Sequence, residues 1–228
     1  MKSAIKYAPS NLNEIVYPNI AIERRIMGYA SGQLENNILL HGSNGTGKTS
    51  IANLLPYAIS GPNAQIENKD YDKVLEQKDI KAYLRSACQT SKLYGGDKFF
   101  MVFNEFDNAR ANVSKLWTAM DACADSLMVI ITTNEPMSVH KSIRSRCDII
   151  EMPALKANAV LARAQQILTA EGLVLPNAQV LSYLKTREHL GDWRKYMALL
   201  DELLFLAAQG LPTPAWSPSP GTVLSVVP

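Results

Sequence analysis

Eight residues, Gly42-Ser43-Asn44-Gly45-Thr46-Gly47-Lys48-Thr49, constrain the fold of this chain more than any other segment. They match the glycine-rich phosphate-loop pattern at every fixed position, directly after the apolar run 37–41 and before a stretch with helical character. Such a loop works between a strand and a helix. The glycines let the backbone curl with its N–H groups toward phosphate oxygens, and the following helix adds the positive end of its dipole. Lys48 is suited to reach the β- and γ-phosphates of a nucleotide, and Thr49 to offer a hydroxyl to Mg²⁺. Gly42, Asn44, Gly45, Thr46, Gly47 and Ser50 complete the candidate cradle.

The rest of the chain supplies the sheet that this loop requires. Residues 98–103 and 127–132 are continuous apolar runs, as expected of strands covered on both faces, and 148–152 reads as a shorter fourth strand. Residues 79–93 and 110–124 place apolar side chains three and four apart and read as covering helices. The predicted fold class is therefore α/β, a parallel phosphate-loop sheet with covering helices over residues 1–153. After Pro153 the strand signal stops. Residues 157–170, 177–185 and 192–208 read as three helices of a small lid domain, 154–209. Residues 210–228 carry no charge and are crowded with prolines, which suits either an extended or disordered tail or a docking peptide.

Composition narrows the partners. The 23 Lys and Arg nearly balance the 21 Asp and Glu, so bulk charge argues for neither nucleic acid nor membrane. No apolar run approaches the roughly 20 residues that cross a bilayer, and the first residues lack a secretion signal, so a cytoplasmic location without membrane contact is expected. Cys88, Cys123 and Cys147 have no Cys-x-x-Cys spacing, which argues against a disulfide framework or a zinc site.

Three further segments bring polar residues to strand ends. Phe100-Met101-Val102-Phe103 runs into Asn104-Glu105-Phe106-Asp107, where a phosphate-loop hydrolase places a metal-holding carboxylate and a base. Asn104 stands where Asp is usual: it loses the charge and keeps a carbonyl acceptor for the Mg²⁺ water shell. Glu105 is then the candidate to polarise the attacking water, unless this is a solvated strand end. Asn134, after the run ending at Thr132-Thr133, is suited either to orient that water or to start the turn before Pro136. Arg144 and Arg146 enter the last strand together, and either an arginine finger acting on a neighbour or a surface ion pair accounts for them.

Taken in order, these motifs resemble the AAA+ family, and within it the small ATPase subunits of sliding-clamp loaders, the replication factor C type and its phage relatives. The resemblance covers almost the whole chain through Ala208. Lys6-Tyr7-Ala8-Pro9 with Leu12 resembles the family's Lys-Tyr-Arg-Pro segment, which lies against the adenine, so the resemblance adds Tyr7 and Pro9 to the nucleotide site, with Ala8 replacing the arginine. It implies Asn134 as first sensor, Arg146 of Ser145-Arg146-Cys147 as a finger acting in trans, and Arg194 of Gly191-Asp192-Trp193-Arg194 as second sensor.

The resemblance further implies an ATPase with ATP and Mg²⁺ as ligands, slowed by Asn104, that works as a homo- or hetero-oligomer on primer-template or duplex DNA and loads or remodels a partner such as a sliding clamp. The family's carboxy-terminal collar is not expected, because the sequence ends after the small domain. For DNA the resemblance points to Lys78, Lys81 and Arg85, about a helical turn apart in a charge-mixed stretch that also suits a solvated face. The competing expectation is an ATP-stabilised oligomeric binding module with slow or no hydrolysis.

Overall fold

The computed structural model describes residues 3–68, 78–106 and 113–212. The chain divides into two compact units, Pro9–Pro153 and a second formed by Met1–Ala8 with Ala154–Pro228.

The first unit is built on a parallel sheet of five strands, β1 (Asn37–His41), β2 (Gln65–Asn68), β3 (Phe99–Phe103), β4 (Leu127–Thr133) and β5 (Cys147–Glu151), in the order β2-β3-β4-β1-β5. Side chains alternate between its faces. Leu39, Met101, Phe103, Val129 and Ile131 enter one apolar cluster with α4 (Ile80–Leu93) and α5 (Val113–Ala122). Ile38, Leu40, Phe100, Val102, Met128, Ile130 and Ile150 enter the other with α2 (Ile20–Ala30) and α3 (Lys48–Ser60). Both faces of β3 and β4 are thus buried, which is why these strands read as unbroken apolar runs rather than alternating ones. The expected fourth strand is β5, beginning one residue earlier than predicted, and β2 is an additional edge strand that the sequence pattern does not announce.

Local chemistry sets the ends of these elements. Asp79 caps α4 by accepting the Ala82 N–H at 3.0 Å, so the helix predicted from 79 has this aspartate as its cap. Asn37, at the start of β1, accepts the Val129 N–H at 2.8 Å and donates to the Arg146 carbonyl at 3.1 Å, tying β1 to β4 and to the entrance of β5. On the same side, Tyr29 of α2 donates its hydroxyl to Asp148, and Arg25 lies 3.4 Å from the same carboxylate. These partners hold the Asp148 carboxyl below its usual range, the Tyr29 bond first.

The second unit consists of α7 (Ala157–Ala170), α8 (Asn177–Lys185) and α9 (Trp193–Ala208), packed around Val160, Ala164, Leu168, Val180, Leu184, Tyr196, Leu200 and Leu203. Asp192 caps α9 by accepting the Arg194 N–H at 2.8 Å. Residues 3–8, expected from the sequence to go with the sheet, belong to this unit. The short helix α1 (Ser3–Lys6) packs on α9, the Ser3 N–H donates to Asp201, and Lys6 and Tyr7 both reach Glu171. No helix among the described residues is long and apolar enough to cross a membrane.

Candidate functional site: a phosphate loop and three strand ends

β1 leaves the sheet between β4 and β5, with His41 opposite both Thr133 and Glu151, and the loop of residues 42–47 starts there. Gly42 has φ +134°, and a Cβ on it would fall 2.2 Å from the Met152 carbonyl oxygen, so a side chain is excluded where the loop crosses the end of β5. The Met152 N–H in turn donates to His41 O at 2.6 Å. Gly45 and Gly47 also have positive φ, at 70° and 92°. Thr46 is buried and closes the loop by donating to Ser43 O at 3.0 Å. Lys48, only 8% exposed, folds its ammonium onto Gly42 O and Ser43 O at 2.7 Å each.

The donor set suits a nucleotide. Gly47 is the N-cap of α3 and has no side chain to bond it, so no capping side chain competes with an anion for the N–H groups of the first turn at the positive end of a 13-residue helix. Asn44 and Thr49 are exposed, and Ser50 is half-buried. Mg²⁺ takes oxygen ligands and keeps most of its waters, and the hydroxyl of Thr49 with the amide oxygen of Asn104 is a fitting pair.

The parallel register brings the other strand ends to the same edge of the sheet. Phe103 lies opposite Ile131, so Asn104 and Glu105 emerge beside Thr132, and Asn134 follows Thr133 beside the root of the loop. This is the edge at which open α/β sheets bind their ligands. Asn104 accepts the Thr132 hydroxyl at 3.3 Å, and the Glu105 N–H donates to the same oxygen at 3.1 Å. Glu105 is exposed and has φ +54°. Asn134 is exposed, and the turn after it is capped by Glu135, which accepts the Met137 N–H at 3.1 Å.

Arg146 lies between the short helix α6 (Lys141–Arg144) and β5 and is already engaged. Its Nε and Nη2 donate to Asp121 Oδ1 and Oδ2 of α5, each at 2.6 Å, and its Nη1 donates to Ser142 O at 2.7 Å. This bidentate pair lowers the Asp121 carboxyl and raises the guanidinium. The ion-pair alternative for Arg146 therefore exists within the chain, to a partner that the sequence alone does not identify. Arg144 donates to the Met137 sulfur, and its buried Nε has no hydrogen-bond partner. The neighbouring Cys147 thiol is pushed up to about 12, mainly by burial.

The remaining expected residues lie elsewhere. Lys81 and Arg85 are exposed one turn apart on α4, with Lys78 exposed just before its cap. Asp107 falls outside the described residues. Pro9 is half-buried at the start of the sheet unit. In the helical unit, Arg194 is exposed in the first turn of α9, and Tyr7 donates its hydroxyl to Glu171 at 2.6 Å. Thr132 and Asp121 escape sequence reading because each acts on a residue more than 20 positions away.

The sequence model of the ATPase family associated with various cellular activities (AAA) matches residues 38–154, the segment from β1 through the end of β5. The chain belongs to the AAA family. Among curated relatives, the sliding-clamp-loader large subunit of Enterobacteria phage T4 is 24% identical over 205 residues, covering 86% of this chain and 62% of that protein. The replication factor C small subunit of Archaeoglobus fulgidus is 28% identical over 201 residues, 83% of this chain and 60% of the relative. The large subunit from Pyrococcus horikoshii is 26% identical over 90% of this chain and 43% of its own length. The chain thus spans less than two thirds of the length of each of these relatives, from 43% to 62%. A Thermotoga maritima RuvB variant shares the fold, with a TM-score of 0.66 at 14% identity over 89% of this chain and 67% of that one.

Proposed function

We propose that this AAA protein is a clamp-loader-type ATPase that uses ATP binding and hydrolysis to assemble with further AAA subunits on DNA, and there loads or remodels a DNA-bound partner such as a sliding clamp. The observation that carries the reading is the convergence of the phosphate loop, Asn104-Glu105 and Asn134 on one edge of the sheet, with Arg146 in family order behind them. The names of the relatives, clamp-loader and replication factor C subunits, point the same way.

In this reading the bound ATP with Mg²⁺ supplies the phosphoanhydride to be cleaved and the cation that neutralises it. Lys48 exchanges the Gly42 and Ser43 carbonyls for phosphate oxygens, and the first-turn amides of α3 orient the same group. Glu105 takes a proton from the attacking water, which Asn134 orients. Arg146 leaves Asp121 to meet charge developing on a neighbouring subunit's nucleotide, and Arg194 serves as second sensor. Tyr7 and Pro9 flank the base, Thr49 and Asn104 hold the metal's shell, and Lys78, Lys81 and Arg85 contact DNA phosphates. A cytoplasmic site of action goes with this role.

A second reading, in which ATP chiefly stabilises an oligomeric binding module, is favoured by the neutral Asn104 and by the pairing of Arg146 within its own chain. ATP turnover of the full chain, measured with and without primer-template DNA and compared with Lys48→Ala, separates the two. Turnover that rises several-fold with DNA and vanishes in the variant supports the switch. ATP-dependent assembly without turnover supports the module and refutes the switch.

A further inference from the structure

Thr132 sits one residue before the end of β4 and is 1% exposed, in a strand buried from end to end. Its hydroxyl reaches across to the end of β3, accepting the Glu105 N–H at 3.1 Å and donating to Asn104 Oδ1 at 3.3 Å. One hydroxyl has one proton and two lone pairs, so both bonds form at once and the proton is committed to Asn104.

The residue so tethered has an unusual backbone. Among the described residues Glu105 alone, of those other than glycine, has positive φ, at +54°. L-residues avoid this region because Cβ crowds the following carbonyl, and glutamate has no short polar side chain to bond its own backbone there. A strained conformation persists where its surroundings over-determine it. At Glu105 a buried hydroxyl from the next strand holds the amide.

We propose that Thr132 is a positioning residue for hydrolysis: through its two bonds it fixes the left-handed turn at Glu105 and the amide plane of Asn104, and so sets where the Glu105 carboxylate stands relative to the phosphate loop. This rests on the reading of Glu105 as the base. Thr132 also lies two residues before Asn134, which directly follows the end of β4, so the same strand leads into the first-sensor candidate and, across the hydroxyl, tethers the base.

Thr132→Val keeps the shape and removes the hydroxyl, whereas Thr132→Ser keeps the hydroxyl. The Val variant should lose about tenfold to a hundredfold in turnover, the scale of effect expected from a base displaced by about 1 Å. Its affinity for ATP, titrated calorimetrically, should stay within about twofold, and Ser should restore most of the rate. Independently of turnover, exchange of the Glu105 amide followed by NMR should accelerate about tenfold or more in the Val variant and little in the Ser variant, since the tether is lost only in the first. Full turnover in Thr132→Val, in a protein that Glu105→Ala inactivates, overturns the positioning role and leaves the base assignment standing. Full turnover in Glu105→Ala overturns both. Joint loss of ATP affinity and turnover in the Val variant identifies a folding role instead and likewise overturns the proposal.

Discussion

Replacing Gly42 with alanine tests the geometry that joins the phosphate loop to the sheet. The added Cβ would lie 2.2 Å from Met152 O and 2.9 Å from its carbonyl carbon, where real Cβ contacts stay beyond 3.0 Å. Neither side gives easily, because the obstructing atoms are backbone and the Met152 N–H is held by His41 O at 2.6 Å. Relief requires the loop and the end of β5 to separate by about 1 Å, an overpacking that costs about 1–3 kcal/mol. The backbone at φ +134° adds about 1–3 kcal/mol for a residue with a side chain. Together about 2–6 kcal/mol are lost, and at about 2–4 °C per kcal/mol for a chain of this size Tm should fall by about 4–24 °C. Gly32→Ala is the control: φ is +72° and the new Cβ meets nothing within 4 Å. It should lose only the left-handed cost, about 1–2 kcal/mol, or about 2–8 °C. The assay is thermal unfolding by circular dichroism without nucleotide. A Gly42→Ala variant that melts within about 2 °C of the parent, or no lower than Gly32→Ala, would refute the close approach at Met152.

The same geometry sets three further outcomes. Asn104→Asp should lower the Mg²⁺ concentration for half-maximal turnover and raise the rate, since a carboxylate still accepts the Thr132 hydroxyl and adds charge at the metal; unchanged metal dependence removes Asn104 from the metal site. Asp121→Ala removes the carboxylate that holds Arg146, leaving its bond to Ser142 O, and should reduce by about twofold to fivefold the protein concentration at which turnover is half-maximal, a modest factor because the pair is solvent-exposed; a requirement for more protein would mean that Asp121 orients the finger. The Asp148 carboxyl, depressed chiefly by Tyr29, contributes stability that is complete above the ordinary carboxylate range and is lost as pH falls through the lowered folded-state value. Tyr29→Phe should therefore raise the pH midpoint of acid unfolding, and an unmoved midpoint would exclude the bond.

The parts of this architecture that can be read in the sequence are those written locally. The phosphate loop declares itself in eight consecutive residues, and β1, β3 and β4 declare themselves because strands covered on both faces are apolar without interruption. β2 does not, because Gln65-Ile66-Glu67-Asn68 is a short edge strand with one apolar residue, and an edge tolerates the polarity that an interior strand cannot. Glu105 is legible as a polar residue at a strand end, but its left-handed backbone is not, since glutamate is a poor candidate for that conformation. Several partners that hold the site in place are remote: Asp121 lies 25 residues from Arg146, Thr132 lies 27 from Glu105, and Asn37 binds groups 92 and 109 residues away. Only the strand order brings them together.

That strand order also fixes when the phosphate loop is born. β1 pairs with β4 and β5 and with neither β2 nor β3, so on the ribosome the Ile38-Leu39-Leu40 segment has no strand to join until the chain is about 90 residues longer. At roughly 5–20 residues per second that wait lasts roughly 5–20 s, with an unpaired apolar edge exposed. The loop matures later still, because the crossing at Gly42 is set against Met152, which comes after β5. Nucleotide can therefore stabilise the finished sheet but not the growing one, and the nascent chain must keep β1 from foreign edges by other means until residue 152 has emerged.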